Sequence, residues 1–352
     1  MKVNKGKMFF KDKSLMLIFS YAPAGFGHLR VTDALLHGLP KGVSPVILGA
    51  QDKSITIIHR IASIHPAIRK LMEIFQSGFP EEIFSRLYKF QLRNRTKILY
   101  EQMKTLLEQR LDRPKTVIVV STHFGLAHQF ASIKKKLEQE EGLRVMLFVQ
   151  VTDDSPQKMW YVSGADAIYV PSEKTKRELE AYAQKAGFEK VKIEVVAYPV
   201  SPILGGYLPE KRYHNRLSQL NIERGALIHI AIPISGAAVG TKFFIEFIDR
   251  LSIQSTRFKF HIIVKIAPYT ESFVNAMRQY RNVDLKVLLT DREVVDEYEA
   301  LYRRETISLE VTKPSEQSFK ALINPSQIGG SILLFSDPVG RQEYDNLDFL
   351  RR

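Results

Sequence analysis

Short apolar runs alternate with longer amphipathic stretches along this 352-residue chain. The short runs, rich in β-branched residues, predict strands at 15–20, 46–48, 116–120, 145–151, 167–170, 193–196, 227–233, 260–266, 285–288 and 332–335. The amphipathic stretches predict helices between several of them, at 31–39, 125–141, 172–186, 241–252 and 270–280. Alternation of strand and helix is typical of α/β domains, in which helices cover both faces of a parallel sheet.

The alternation is interrupted after Pro199. Residues 201–220 (SPILGGYLPEKRYHNRLSQL) are rich in proline, glycine and charge and show no sustained period, so they predict a linker. A second alternation follows. We therefore predict two α/β domains, 1–205 and 206–352, in a chain long enough to give each a core.

Residues 54–111 form a block that departs from the alternation, because their apolar residues have mostly helical spacing. Between His59 and Arg110 there are ten Lys or Arg and only five Asp or Glu. One interpretation is a solvated helical face packed on the core. The other is a basic amphipathic insertion that rests on an anionic membrane surface. The predicted membrane contacts are Lys89, Phe90, Arg93, Arg95 and Lys97.

Composition limits the remaining classes. The chain is 45% hydrophobic, has no cysteine and carries a formal net charge of +13. Disulfides, thiolate metal sites and a cysteine nucleophile are thereby excluded, and the charge predicts an anionic partner. No apolar run reaches the ~18 residues of a membrane span. We interpret the start, MKVNKGKMFFKDKSLMLIFSYA, as a basic tail before a first buried strand.

A glycine-bearing turn links the first predicted strand to the first predicted helix. Gly25 and Gly27 flank this turn and His28 follows it. A helix that begins here leaves its first N–H groups unpaired, which favours a phosphate or a polar headgroup, and glycines allow close approach. His28 has the pKa range of a general base or a donor to an anion. An ordinary turn with a structural histidine is the alternative.

Three separate stretches resemble, in order, one superfamily. AGFGHLRVTDAL is similar to the N-terminal Gly-x-Gly-His loop of GT-B glycosyltransferases that act on membrane lipids, such as monogalactosyldiacylglycerol synthases, processive diacylglycerol glucosyltransferases and the peptidoglycan N-acetylglucosaminyltransferase. VQVTDDSPQKMWYVSGADAIYVPSEKTKRELEAYAQKAGFEKVKIEVVAYPVSP resembles the family's central segment, and VTKPSEQSFKAL with DPVGRQEYDNLDFL resembles its donor loop and Gly-Gln-Glu-x-x-Asn motif. The resemblance covers residues 14–350 with gaps, and implies two Rossmann-like domains facing a cleft.

The resemblance implies a role for each matching residue. On the acceptor side, His28 would be the base, helped by Asp153 or Asp154, with Gly25, Gly27 and His123 near the acceptor; a helix start is the alternative for Asp154, and a cap or core position for His123. On the donor side, the residues implied to bind a uridine-diphosphate (UDP) sugar are Ser235, Gly236, Gly240, Thr241, Lys313, Gln342, Glu343 and Asn346. The family needs no metal or other cofactor, because the UDP-sugar is a co-substrate.

The chain departs from the family where donor chemistry is expected. Ser315, Glu316 and Gln317 stand where the family has glycines, and Ala321 stands where it has a ribose-binding Glu. Side chains in place of glycines restrict positive φ and close backbone approach. The sequence stops at Arg352, where the family continues, so the second domain is expected to be incomplete.

The leading functional prediction is a hexosyltransferase, peripheral on the cytoplasmic face of the cell membrane, that moves a hexose from a UDP-sugar to a lipid. The alternative is a catalytically impaired relative that binds a sugar nucleotide or lipid and regulates a partner. A sugar-nucleotide epimerase shares the same two-domain shell, but the second half offers few acids and histidines for that chemistry. No nucleic-acid-binding signature accompanies the positive charge, so nucleic acid is not expected as a partner.

Overall fold

The computed structural model describes residues 12–21, 26–49, 78–234, 238, 240–338 and 340–352, and they fall into two compact units. The first unit contains the described residues of 12–21, 31–49 and 78–199, and the second contains 26–30 and those from Val200 onward. The helices are α1 Phe26–His37, α2 Gly78–Asn94, α3 Lys97–Glu108, α4 Phe124–Glu141, α5 Glu173–Ala186, α6 Glu210–Leu220, α7 Thr241–Gln254, α8 Glu271–Met277, α9 Asp291–Arg304 and α10 Arg341–Arg351.

The first unit is built on a six-stranded parallel sheet. Its strands are β1 Leu15–Tyr21, β2 Val46–Gly49, β3 Thr116–Ser121, β4 Arg144–Gln150, β5 Ala167–Val170 and β6 Lys192–Val195, in the spatial order β2-β1-β3-β4-β5-β6. Ile18, Val119 and Val149 in the central strands are fully buried. The central strands are almost continuously apolar because helices cover both faces of such a sheet.

The second unit contains a five-stranded parallel sheet. Its strands are β7 Ile228–Pro233, β8 Phe258–Lys265, β9 Val283–Leu288, β10 Leu309–Thr312 and β11 Ile332–Phe335, in the spatial order β11-β10-β7-β8-β9. Ile230, Ile232 and Ile262 are fully buried at its centre, against Phe244 of α7. Two Rossmann-like α/β domains, the predicted fold class, are confirmed.

The prediction of a linker at 201–220 is wrong for its second half. Residues 210–220 form helix α6, which the proline- and glycine-rich start of the segment concealed. Tertiary contacts account for this helix, since the Arg216 guanidinium donates to the carbonyls of Ile307 and Ile328 at 3.0 and 2.8 Å and is buried. The Gln219 side chain is also buried, and its amide donates to the Thr306 carbonyl at 2.8 Å.

In each sheet, the order in which the chain adds strands reverses once. In the first sheet the chain goes from β1 outward to β2 and returns to β3 on the other side of β1; in the second it proceeds from β7 to β9 and returns to β10 beside β7. Loops at the carboxyl ends of such neighbouring strands leave in opposite directions and form the usual ligand crevice of an open α/β sheet. The predicted glycine turns follow β1 and β7, one at each of these switch points.

The second half of the 54–111 block is helical, as α2 and α3, and residues 54–77 lie outside the described residues. Within the described part of the chain, no helix combines the length and apolar character that a bilayer span requires.

Candidate acceptor and nucleotide sites

The predicted acceptor residues Gly25, Gly27 and His28 follow β1 in the sequence. His28 is the third residue of α1, which follows β1, and it is half-buried. The Thr32 hydroxyl lies 2.8 Å from that of Thr122, a buried contact that holds α1 against the turn after the neighbouring strand β3. Gly25 lies outside the described residues. In the chain, His28 comes seven residues after the end of β1, as the predicted order of strand, glycine turn and helix requires.

His123 follows β3 and has a structural role. It is the N-cap of α4: its Nδ1 accepts a hydrogen bond from the Leu126 N–H at 3.4 Å, and its ring stacks on Phe124 with 4.8 Å between centroids. The residue is almost fully buried. The cap interpretation of this histidine accounts for these contacts, and an acceptor contact by its ring does not.

The acid pair after β4 is turned into the protein. Asp154 is fully buried and accepts hydrogen bonds from the hydroxyls of Ser172 and, at 2.8 Å, Thr175, which both lie at the start of α5. Asp153 is buried too, and its Oδ1 accepts from the Ser155 N–H at 3.1 Å. Asp154 thus fixes the start of α5 to the end of β4, the helix-start role that the sequence left open for it.

The start of α1 is next to a carboxylate of the chain itself. Residues 26–30 are grouped with the second unit, and there the Glu316 carboxylate accepts a hydrogen bond from Arg30 at 3.0 Å. A methyl group added at Gly27 would come within 3.1 Å of Glu316 Oε2. Glu316 therefore supplies negative charge at the helix N-terminus, where an anion is stabilised by unpaired N–H groups and the helix dipole.

Electrostatics favours this Arg30–Glu316 pair. Burial acts to lower the pKa of Arg30, but the charge of Glu316, with smaller contributions from Tyr298 and Glu310, raises it above its ordinary value. The guanidinium also lies over the ring of Tyr298, 4.4 Å from its centroid. In the sequence, Glu316 is notable only because it stands where the family has a glycine. Its proximity to Gly27 is seen only in the folded chain.

The second glycine turn leads from β7 into α7. Ser235 and Gly236 lie outside the described residues. Gly240 has a φ of +84° as the N-cap of α7, a conformation in which a side chain would be strained. Thr241 is the first residue of the helix and is half-buried. Helix α7, which follows β7 in the chain, therefore begins with a glycine in the left-handed conformation.

An ion pair and a hydrogen bond join the two predicted donor motifs, the loop after β10 and the first turns of α10. Lys313, after β10, forms an ion pair with Glu343 at the start of α10, and the Asn346 amide donates to the Pro314 carbonyl at 3.2 Å. Glu343 and Asn346 are both buried. These contacts hold the loop after β10 against α10. Gln342, half-buried beside them, is the more accessible member of the motif.

Four buried side chains of the second unit form an ionic group that we call the Glu310 cluster. Its members are Glu310, Lys320, Tyr298 and Tyr302. Glu310 Oε2 accepts from Lys320 Nζ and from both tyrosine hydroxyls, that of Tyr298 at 2.7 Å. Burial raises the pKa of Glu310, but Lys320 and the hydroxyls outweigh it and lower the net value. Burial lowers the pKa of Lys320 to about 8. No motif predicted this cluster, because its members lie on three separate elements.

The predicted membrane contacts divide into two groups. Phe90, with 66% of its surface exposed, lies with Arg95 and Lys97 on the outside of α2 and α3. Lys89 corrects the prediction: it is 7% exposed, and its Nζ donates to the carbonyls of Lys158 at 2.6 Å and Tyr161 at 3.2 Å. Arg93 is half-buried and donates to the Ser163 carbonyl at 3.1 Å. Because Lys89 and Arg93 hold α2 on the domain, they do not face a membrane.

Part of this chain matches a known protein family. Residues 58–200 match the monogalactosyldiacylglycerol (MGDG) synthase family. The match includes Asp153, Asp154 and Lys89, and excludes both His28 and the donor motifs. No curated protein sequence matches the chain.

Solved structures match over most of the chain at low identity. Staphylococcus aureus MnaA, solved with UDP, is 12% identical, with 96% of this chain and 87% of that chain covered and a TM-score of 0.47. Arabidopsis thaliana UGT89C1, complexed with UDP-L-rhamnose, is 12% identical, with coverages of 94% and 81% and a TM-score of 0.45. A UDP-GlcNAc 2-epimerase from Neisseria meningitidis, bound to UDP-GlcNAc, is 9% identical, with coverages of 96% and 90% and a TM-score of 0.43. Likeness at this level decides nothing about activity.

Two parallel Rossmann-like domains in one chain are the architecture that the resemblance to GT-B enzymes implied, and one segment of the chain is similar to the MGDG synthase family. The matched segment, 58–200, is less than half of the chain.

Proposed function

We propose that the protein transfers a hexose from a UDP-sugar to a lipid at a membrane surface. The observation that carries the proposal is the second switch point, where the glycine N-cap of α7 and the loop after β10 leave from the neighbouring strands β7 and β10. A helix N-terminus with a glycine in the left-handed conformation suits a diphosphate. Gln342, on the helix fastened to that loop, supplies amide donors and an acceptor for a sugar or ribose.

His28 is the proposed acceptor-side base. It would take the proton of the lipid hydroxyl as the oxygen attacks the anomeric carbon, while the bond from that carbon to the UDP oxygen breaks. The N–H groups at the α7 N-terminus would stabilise the charge that develops on the leaving diphosphate. No divalent metal is required by this scheme.

Calorimetric titration with UDP tests the donor site. We expect micromolar binding to the purified chain and at least ~10-fold weaker binding by Gln342→Ala, since a hydrogen bond to a charged or polar ligand is lost. The matched control is Tyr344→Ala on the same helix, where the side chain is 55% exposed. Absence of UDP binding by folded protein would contradict the proposal.

A transfer assay with UDP-hexoses and vesicles that contain diacylglycerol tests the chemistry. We expect His28→Asn to bind UDP normally and to lose ~10²- to 10⁴-fold in transfer rate, the range for a missing general base. His214→Asn, an exposed histidine on α6, is the control. Equal rates for His28→Asn and the wild type would remove His28 from the mechanism.

We propose that α2 and α3 contact the membrane through Leu87, Phe90, Arg95, Lys97 and Ile98. The exposed fractions of Leu87, Phe90 and Ile98 are 68%, 66% and 76%. Exposed apolar side chains among basic residues suit an anionic lipid surface, where each Lys or Arg contributes about 1 kcal/mol. Such a contact would make the protein peripheral on the inner face of the cell membrane.

Vesicle sedimentation tests this contact. Phe90→Glu should lower binding to phosphatidylglycerol-containing vesicles, and Leu289→Glu, an equally exposed position in the second unit, should not. Binding to purely neutral vesicles at the same level would exclude the electrostatic part of the proposal.

A second candidate function is favoured by the filled donor loop. Residues 316–322 form a 3-10 helix whose Gln317, Ser318 and Phe319 are buried, and Ala321 offers no carboxylate to a ribose. Ser315, Glu316 and Gln317 place side chains at positions where the family has glycines. A relative that binds UDP or lipid but does not transfer a sugar would give binding in the first assay and no product in the second with any hexose donor.

A further inference from the structure

Two histidines and a glutamate meet in the second unit, away from the carboxyl ends of the strands where the donor loops begin. His229 lies near the amino end of β7, His261 lies on the adjacent strand β8, and Glu305 directly follows α9. Since His261 is aligned with Ala231, two residues beyond His229, both imidazoles lie on the same face of the sheet.

The ligand atoms converge on a common point. Nδ1 of His229 is 2.9 Å from Nε2 of His261 and 3.7 Å from a carboxylate oxygen of Glu305, and all three atoms lie within 4.8 Å of one another. The two rings are nearly parallel, with an interplanar angle of 16°. Donor atoms that bind the same small cation are separated by similar distances.

A fourth residue orients His261 from behind. Asp284 is aligned with it on β9, and the Asp284 carboxylate lies 3.3 Å from Nδ1 of His261. A hydrogen bond from Nδ1–H to this carboxylate leaves the lone pair on Nε2, which faces His229 and Glu305. A carboxylate behind a histidine in this way is the usual arrangement around metal-binding imidazoles.

We propose that His229, His261 and Glu305 bind one zinc ion, with Asp284 as the residue that positions His261. Two imidazole nitrogens and a carboxylate oxygen are a donor set that zinc favours, and a water would complete the tetrahedron. Ligands at ~2.0–2.1 Å around a tetrahedral ion are ~3.3 Å apart, so the His229 ring has to withdraw from His261 by ~0.4 Å.

The surroundings permit both this movement and access. The side chains of His229 and Glu305 are 21% and 33% exposed, whereas that of His261 is 5% exposed. The buried histidine is thus fixed, and the two outer ligands can adjust and admit the ion from solvent. The ion would join β7, β8 and the residue after α9, and would stabilise the second unit because the unfolded chain lacks the assembled site.

Zinc titration tests the site on the full chain with any affinity tag removed. We expect one equivalent of Zn²⁺ in calorimetry, a raised melting temperature, and a cobalt-substituted protein with the visible absorption of tetrahedral Co²⁺. His229→Gln and Glu305→Gln should each abolish stoichiometric binding. Asp284→Asn should weaken it ~10- to 100-fold, as is usual for a residue that orients a ligand. His214→Gln, at an exposed position on α6, should bind as the wild type does.

Each outcome of these experiments either supports or overturns the zinc proposal. Because His229 and Glu305 are partly exposed, their variants are expected to fold, and the melting curve without metal checks this. Failure of the wild type to bind one equivalent of zinc overturns the proposal and leaves Asp284, His261 and His229 as a hydrogen-bonded chain. Retention of full affinity by folded His229→Gln overturns it equally. Neither result depends on UDP binding or sugar transfer.

Discussion

Lys89 gives a pH-dependent stability prediction whose size follows from the structure. Its Nζ is enclosed by the carbonyls of Lys158 and Tyr161 and lies 5.0 Å from the centroid of the Tyr182 ring. Burial, reinforced by the positive charge of Arg93, lowers the pKa of Lys89 to about 7. The ordinary value for a lysine is ~10.4, which we take for the unfolded chain.

The sign follows from proton binding. Between these two pKa values the unfolded chain holds the Lys89 proton and the folded chain has released it, so raising the pH favours the folded state. Integration from pH 7 to pH 9 gives a gain of about 2 kcal/mol in the free energy of unfolding. Lys89→Met removes this dependence, so the stability of the wild type relative to the variant should increase by about 2 kcal/mol over the same interval.

The chain has one tryptophan, Trp160, which is fully buried in the first unit, the unit that contains Lys89. Urea unfolding followed by Trp160 fluorescence at pH 7, 8 and 9 therefore reports on the correct domain. Lys97→Met, at an exposed position on α3, is the control and should show a constant difference from the wild type. A difference between wild type and Lys89→Met that stays constant with pH would refute the assignment of a neutral, buried Lys89.

Three further predictions concern stability. Glu310→Gln should lower the free energy of unfolding of the second unit by ~3–5 kcal/mol, since it leaves the Lys320 charge buried without its partner, and Glu310→Met with Lys320→Met should recover much of this loss in chemical denaturation. Asp154→Ala should cost ~1–3 kcal/mol in Trp160-monitored unfolding, because the hydroxyls of Ser172 and Thr175 lose their buried acceptor. Thr290→Ala removes the N-cap of α9, whose capping box with Glu293 is complete, and should cost ~1 kcal/mol, with Thr290→Ser close to wild type.

Most strands could be predicted from local pattern, but β10 and three helices could not. Ile332–Phe335 and Ala167–Val170 have the bounds that the apolar runs predicted. Strand β10, Leu309–Thr312, was missed because Glu310 interrupts its apolar run. The charge is tolerated there because Lys320 and two tyrosine hydroxyls, all distant in sequence, satisfy it. Helices α6, α9 and α10 have strongly polar sequences and are stabilised by contacts that a local window does not contain.

The candidate site divides in the same way. The sequence by itself determined the element types, the two-domain plan and the glycine turns that follow β1 and β7, since these depend on local periodicity and on the conformations open to glycine. Which polar residues remain accessible was decided by the tertiary structure. Asp154, Glu343 and Lys89 are as polar as His28 and Gln342 in the sequence, but hydrogen-bond partners from remote elements hold the first three inside the protein. The cost of burying a polar group is met only when partners from elsewhere in the chain are brought to it, and no local pattern specifies those partners.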